Sequence, residues 1–585
     1  MGDERGYTRR SVLRAAGGAA AVGLLGGAEP WLARAAAGMA AGIRAPGSLP
    51  DPSRPAGEPT SALPFDHIVC LMQENHSFDN YFGMLPRRGQ PGADGFTFDG
   101  AGTPLNSNPL GSGIVRVQHA PTPCQPTDIT QSWTPTHQEI DHGRMDGFAR
   151  VDQGQMLYYD QSDIPFYYSF ANTFTVGNRW FCSAPCQTYP NRRFYLCGTA
   201  FGLISTDTSK VTQSPPNGTI VDRLNHYGIT WKDYFVDVPG TAVIFDIPEK
   251  NQANMAPIDQ FFADCAAGTL PNVCWVDPEI GTLNVVGSAL AGKVPIGNGV
   301  ANYSAAQDQD EENPADIQLG ESFVQSVVDA VLSSPAWPRT LLVWIYDEHG
   351  GYYDHVPPPA AIKPDSIPPD LGPKDYPGGY DLYGPRVPAV VASAYSKPHG
   401  VTNVVHDHTS VLATIAAKWN LPAMTYRDAN ATTVADFLDP SKPALLEPPT
   451  LTGSGDVAAG EANCDSSDPK LTVLPAPQVT HVGRLIVKFL GRRQKAHGIV
   501  VELRTTSGTL SKLTVELEHR HSRHVLVRKH VKAVGTHEHK VVLHPHHHLP
   551  NGHYTLLVKR HGHVLVRRTV HLRGARSGAS RPSTA

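Results

Sequence analysis

Long apolar runs are scarce in this chain of 585 residues, and their scarcity removes one class of protein at once. No segment supplies the about 18 to 20 uninterrupted apolar residues of a membrane-spanning helix, and the Ala/Gly stretch Ala15 to Ala28 is too short and too Gly-rich to do so. Cysteine is sparse as well, with eight in all. No second ligand pair follows Cys182 and Cys186 at the fixed spacing of a Cys/His zinc module, which argues against one there. Acidic residues nearly vanish between Gln478 and Arg573, where Glu502, Glu516, Glu518 and Glu538 are the only ones against many Lys and Arg. The net charge is only -5, so the remainder of the chain must be acidic. The basic stretch carries no nucleic-acid reading motif and no aromatic stacking pattern, which argues against a specific nucleic-acid partner.

What is present describes a folded, multi-domain chain. A hydrophobic content of 40% with 18% charged residues is that of a globular protein. The length predicts roughly two to four domains, and 54 Gly with 51 Pro predict many long, ordered loops. The segment Thr8-Arg9-Arg10-Ser11-Val12-Leu13 reads as a twin-arginine signal. Cleavage is placed at Ala33-Arg34-Ala35 or Ala35-Ala36-Ala37, so residues 1–45 are expected to be signal peptide and disordered N-terminus. Export permits disulfides, but their pairing cannot be read from sequence.

Two stretches share one design. Thr340 to Tyr346 runs without a polar break, as a strand buried on both faces of a parallel sheet does, and then stops at Asp347, Glu348 and His349. Gly350-Gly351 turn the backbone, and Asp354-His355 return before a Pro run. His67 to Gln73 is a second apolar run that ends in Glu74-Asn75. Acids at the carboxyl ends of buried strands are where open α/β sheets place their sites. Such oxygen donors suit a divalent cation such as magnesium, calcium or manganese, and nearby histidines admit zinc. From Phe65 to about Asp439 buried strands alternate with helical patterns, which predicts a mainly parallel sheet flanked by helices. A helix is expected after Glu321, with Phe323, Val327, Val328 and Val331 on one apolar face. A strand is expected over Val387 to Ala394, and a helix near Val411, with His406 to Ser410 at its N-terminus.

Between the two acidic strand ends lies Gln187-Thr188-Tyr189-Pro190-Asn191-Arg192-Arg193. A hydroxyl, a cation-binding set of acids and a nearby arginine are the parts of a phosphoryl-transfer site: metal lowers the hydroxyl pKa and cations hold phosphate oxygens. Alone, Thr188 before Tyr-Pro is a turn residue.

Four segments in order carry a resemblance to a known family. Glu74-Asn75-His76-Ser77-Phe78-Asp79 resembles ENRSFD, Thr188-Tyr189-Pro190-Asn191-Arg192 resembles TxPNR, Asp347 to Val356 resembles DExxGxxDHV, and Gly384-Pro385-Arg386-Val387-Pro388 resembles GxRVP, of the bacterial phospholipase C and acid phosphatase phosphoesterases. The resemblance implies a fold related to alkaline phosphatases and sulfatases. It implies Glu74, Asn75, Asp347 and Glu348 around a metal, Thr188 as nucleophile, Asn191 and Arg192 on the substrate phosphate, and His137, His355 and His408 binding phosphate or protonating the leaving group. Two departures concern phosphate or head-group contacts. Asp310-Glu311-Glu312-Asn313-Pro314 stands where relatives have a His before the Pro, and Gln131-Ser132-Trp133 stands where many have His-x-Trp. The expected activity is a phospholipase C yielding diacylglycerol and a phosphorylated head group. A broad-specificity acid phosphatase is the nearest alternative, and a non-catalytic envelope-binding protein on a hydrolase fold is one of another class.

After residue 440 the character changes. Residues 441–477, rich in Pro, Gly, Ser and Asp, are expected to be a linker. Short alternating strands from 478 to 574, namely Arg484 to Leu490, Ile499 to Leu503, Leu513 to Glu518, Lys540 to Leu543, Tyr554 to Val558 and Val564 to Val570, predict a basic, His-rich, immunoglobulin-like β-sandwich before a disordered tail at 575–585. Its charge points to anionic lipid or cell-envelope polymer as the surface it meets. Tracts such as His544-Pro545-His546-His547-His548 read as metal binders or as pH-dependent positive charge.

Overall fold

The computed structural model describes residues 42–124, 129–280, 309–313, 315–455, 471–475, 485–492, 498–506, 510–519, 524–545, 547, 549–560 and 563–572. The twin-arginine segment, its cleavage sites, the middle of the linker, His546, His548 and the 575–585 tail lie outside the described residues. The chain divides into two compact units, Met1–Leu474 and Pro475–Ala585.

The first unit is built on an eight-stranded sheet. Its order is Val401–Thr402, Thr175–Gly177, Ala389–Ser393, Thr340–Tyr346, His67–Gln73, Val273–Asp277, Trp231–Phe235 and Met255–Pro257. Only Ala389–Ser393 runs against the rest, pairing antiparallel with both of its neighbours. The two strands first recognised as apolar runs lie side by side at the centre, in parallel register from His67 opposite Thr340 to Gln73 opposite Tyr346. All seven residues of Thr340–Tyr346 are buried, as are six of the seven in His67–Gln73. Strands covered on both faces have no polar face to show, so they read as unbroken apolar runs instead of alternating ones.

Helices cover the sheet. Ile317–Ser333 starts at Asp316, whose side chain accepts from the Gln318 N–H, and it buries Phe323, Val324, Val327, Val328, Val331 and Leu332. Each such aliphatic or aromatic side chain contributes about 1.5–3 kcal/mol of transfer free energy. One charged residue breaks that face. Glu321 is fully buried, and its Oε1 accepts from the backbone N–H groups of Phe166 (2.7 Å) and Tyr167 (3.1 Å). Those are first-turn donors of the helix Pro165–Thr173, whose own N-cap Ile164 offers no side-chain acceptor. Glu321 therefore caps a neighbouring helix by supplying the acceptor that its first turn lacks. No helix among the described residues is long and apolar enough to cross a membrane. Six cysteines, Cys70, Cys182, Cys186, Cys197, Cys265 and Cys274, are buried free thiols, and Cys124 is disulfide-bonded.

The second unit contains two antiparallel sheets. Leu485–Arg492, Ile499–Thr505 and His539–Leu543 form one, and Val525–Val534, Leu510–His519, Gly552–Arg560 and His563–Leu572 form the other. Val501, Leu503, Leu513, Val515, Leu517, Leu556 and Val558 belong to one shared core. Seven strands split three and four give the immunoglobulin-like outline, with the fourth strand in chain order in the four-stranded sheet. That strand, Val525–Val534, goes beyond the six expected from sequence. It is an edge strand with only Val531 and Val534 buried, so it lacks the alternation that marks the others.

Candidate functional site

Because Gln73 pairs with Tyr346, the next residues, Glu74 and Asp347, leave the sheet as neighbours, and the Asp347 N–H donates to the Gln73 carbonyl at 3.0 Å. Asn75 turns at once, with φ +70°, and its N–H lies 3.4 Å from Asp347 Oδ1. The turn is possible because the opposing position is glycine. A Cβ on Gly350 would stand 1.8 Å from the Asn75 carbonyl oxygen, and Gly350 itself has φ +63°. The two acidic loops are thus locked against each other by register and by one missing side chain.

The helix Thr188–Cys197 brings the third segment to the same place. Arg192 is buried, with Nη2 2.8 Å from Glu74 Oε1, Nε 3.3 Å from Asp347 Oδ2 and Nη1 3.9 Å from Asp277 Oδ1. Thr188 is the first residue of this helix and lies four residues before Arg192. Positions i and i+4 share a helix face, so Thr188 stands on the face that Arg192 turns to the carboxylates. No side chain caps the helix start, which leaves its first-turn N–H groups for other acceptors. Asn191 is used otherwise. Its Oδ1 accepts from the Ala184 N–H, and its Nδ2 donates to the carbonyls of Ala184, Cys186 and Gln187, so it shapes the loop that delivers Thr188.

Burial raises the carboxyl pKa of Glu74 and Asp347, with Arg192 pulling the other way, and pushes that of Glu348 up to about 8. Three crowded buried acids with a single arginine between two of them are short of positive charge. One Glu348 oxygen, Oε1, is buried without a hydrogen-bond partner, and so is Asn75 Nδ2. An orphaned carboxylate oxygen among all-oxygen donors fits a hard divalent cation, so Glu74, Asn75, Asp347 and Glu348 are residues that can hold one. Sequence reading missed the neighbours. Ligand oxygens of Glu74, Asp310 and Glu312 lie within 4.8 Å of one another, and Asp277 ends the strand next to Glu74. The signal for Asp310 and Glu312 was their position in the acidic Asp310-Glu311-Glu312 run. The adjacent Glu311 is held inside by the hydroxyls of Tyr81, Tyr167 and Tyr346. A further group, His119 with Asp160 and Asp163, lies toward the surface and is engaged by Arg88.

The histidines separate. His408 precedes the helix Thr409–Trp419 and touches the cluster through Nε2, 2.6 Å from the Asp347 carbonyl; burial lowers its pKa to about 4. His137 has Nδ1 2.7 Å from the Trp133 carbonyl, stacks on Tyr376 and lines a cavity of about 230 Å³ with Asp141, His142 and Arg150; burial takes it to about 4. His355 belongs to another network. Burial opposes its charge, but Asp79, 2.6 Å from Nδ1, raises it to about 10, and Arg386 joins Asp79 to Asp354. The imidazole nearest Glu348 is one not anticipated, His349, with Nδ1 3.2 Å from Glu348 Oε2 and Nε2 2.9 Å from Glu139 Oε2. Burial disfavours its charge, but Cys182, Glu139 and Glu348 raise its pKa well above the ordinary value.

A hydroxyl at a helix start, an arginine and an acid cluster at the carboxyl ends of parallel strands define the class as a phosphoric ester hydrolase. The chain belongs to the phosphoesterase family, whose model matches residues 65–422. It is 26% identical over 468 residues to non-specific phospholipase C3 of Arabidopsis thaliana, covering 72% of this chain and 84% of the relative. It is 29% identical over 448 residues to phospholipase C A of Mycobacterium tuberculosis, covering 66% and 80%. A solved protein of the alkaline phosphatase superfamily from Vibrio parahaemolyticus aligns over 59% of this chain and 77% of its own, with 10% identity and a TM-score of 0.27.

Proposed function

We propose that this phosphoesterase is an exported, metal-dependent phospholipase C, hydrolysing phospholipids to diacylglycerol and a phosphorylated head group through a phosphothreonine. The observation that carries the reading is the placement of Thr188 one turn before Arg192, whose guanidinium is bonded to Glu74 and Asp347. Relatives named phospholipase C support the substrate class, and Thr8 to Leu13 supports export by the twin-arginine route. Glu74, Asn75, Asp347 and Glu348 would hold a divalent cation, which would supply positive charge to these acids and lower the pKa of a nearby hydroxyl.

The residues then divide the work. Thr188 Oγ attacks phosphorus as its proton passes to solvent water, and the bond to the diacylglycerol oxygen breaks in line while that oxygen takes a proton from water. Arg192, one turn along the helix from Thr188, would hold the non-bridging oxygens. Asn191 keeps the loop before Thr188 in shape. His408 holds the Asp347 backbone. His137, neutral near pH 7 and open to the cavity, is an acceptor for the head group, while His355 stabilises the Asp79–Arg386 network. Water next displaces Thr188 from phosphorus, and a proton returns to the hydroxyl. Two in-line displacements retain configuration at phosphorus.

Rapid acid quench with a phosphorus-labelled phospholipid tests this reading. Label on the Thr188 peptide, retention at a chiral phosphorus and loss of turnover with chelator are the expected results. Inversion, with no label on Thr188, replaces the covalent route with direct attack by water.

A further inference from the structure

Behind Glu348 runs a line of four buried side chains drawn from three separate parts of the chain. Glu348 Oε2 accepts from the Gly350 N–H at 2.9 Å and faces His349 Nδ1 at 3.2 Å, too obliquely for a good hydrogen bond. On the far side of the ring, His349 Nε2 meets Glu139 Oε2 at 2.9 Å, and the other Glu139 oxygen accepts from Gln155 Nε2 at 2.7 Å. Glu139 lies on the helix Trp133–Ile140 and Gln155 on the short turn Gln153–Met156. Glu139, Gln155, Glu348 and His349 are all fully buried.

We infer that His349, Glu139 and Gln155 form a positioning chain that fixes the Glu348 carboxylate so that Oε1 is presented to a cation; this rests on the proposed reading of Glu348 as a metal ligand. The asymmetry of Glu348 is the reason. One oxygen is held on the protein side by the Gly350 N–H and faces the ring at 3.2 Å, and the other is left without any hydrogen-bond partner. The buried carboxylate of Glu311, by contrast, is satisfied at both oxygens, by three tyrosines and Gln73. Groups that orient a ligand from behind typically account for 10- to 100-fold in metal affinity. Glu139 is the critical link because it accepts from two donors at once. A glutamine there has one acceptor oxygen and must turn its NH2 toward either His349 or Gln155, so the ring loses its anchor or the anchor loses its own.

The test is Mn²⁺ affinity of the metal-free full-length protein, by calorimetry, for wild type, Glu139→Gln, Gln155→Met and Glu348→Gln. Glu348→Gln should nearly abolish binding. Glu139→Gln should weaken it about 10-fold or more, and Gln155→Met should weaken it by a smaller factor in the same direction. A role confined to the fold would lower the melting temperature and leave the affinity of the folded protein unchanged. Loss of binding in Glu348→Gln with wild-type affinity in both Glu139→Gln and Gln155→Met overturns the positioning chain alone; should Glu139→Gln fail to fold, wild-type affinity in Gln155→Met does so. Wild-type affinity in Glu348→Gln overturns the metal assignment itself.

Discussion

The two units treat charge in opposite ways. In the first, acids and arginines are taken inside: Glu74, Arg192, Asp347 and Glu348 are buried together, and Asp79, Asp354 and Arg386 form a second closed network. In the second, the buried charges among the described residues are three acids, Glu502, Glu516 and Glu518, while Lys488, Arg504, Lys512, Lys529, Lys532, Lys540 and Arg567 are exposed. Glu516 is compensated on both oxygens, by Arg528 at 2.5 Å and Lys559 at 2.6 Å. A buried charge is expensive unless partnered, so each member of the first unit's clusters depends on the others. Exposed charges are screened and nearly independent. Single substitutions should therefore act strongly in the first unit, whereas the second should respond in small, additive, salt-dependent steps.

Asp347→Asn should have the largest effect. It removes one charge from the acid cluster and half of the Arg192 partnership, and is expected to abolish divalent metal binding and nearly all activity while the protein stays folded. Metal content measured beside far-UV circular dichroism decides it, and full metal content in a folded variant removes Asp347 from the ligand set. Thr188 comes next. Thr188→Ala should lower kcat on the order of 10⁴-fold or more, whereas Thr188→Ser keeps a hydroxyl and should retain measurable turnover. Equal activities of the two variants would make Thr188 a turn residue only.

A third effect is on stability and follows from Glu321, whose pKa burial raises from 4.5 to about 8. The raised value means that the fold favours the neutral carboxyl. Its stabilisation is fully present below about pH 4.5 and is lost as pH rises through about 8. The melting temperature of the wild type should accordingly fall between those values. Glu321→Gln preserves an acceptor for the Phe166 and Tyr167 N–H groups and removes this titration, so its fall should be shallower. Parallel calorimetric profiles for the two proteins would show that Glu321 titrates normally.

Much of this contrast was legible in the sequence, and the illegible part has a physical cause. The two central strands announced themselves because burial on both faces demands unbroken apolar runs, and their acids followed because the chain turns where the sheet ends. The basic character of the second unit was legible from acid depletion, and its sandwich from short alternating strands. Illegible were contacts made by register and crossover: Asp277 reaches Arg192 from the end of another strand, Asp310 reaches Glu74 from a separate segment, and Glu139 reaches His349 from 210 residues away. Arg192 was picked out by its motif, but its partners Glu74 and Asp347 lie 118 and 155 residues away and no local pattern encodes them. Asn191 was read as a phosphate contact because side-chain type does not reveal that four backbone groups occupy it.

The smallest expected effect belongs to the surface of the second unit. Lys529 and Lys532 lie on the edge strand Val525–Val534 and Arg567 on the opposite edge strand His563–Leu572, all exposed. If this unit draws the enzyme to anionic surfaces, each cation near the surface contributes up to about 1 kcal/mol, and neutralising all three to Gln should weaken binding to phosphatidylglycerol vesicles roughly 10-fold or more at about 50 mM salt. At about 500 mM salt the Debye length falls to roughly 4 Å, and the difference should vanish. Turnover of a soluble phosphate ester should be unchanged, since none of the three residues belongs to the buried clusters of the first unit. Binding that ignores both salt and the three substitutions would mean that the sandwich recognises a surface by shape, and the contrast between buried and exposed charge would then hold for stability but not for recruitment.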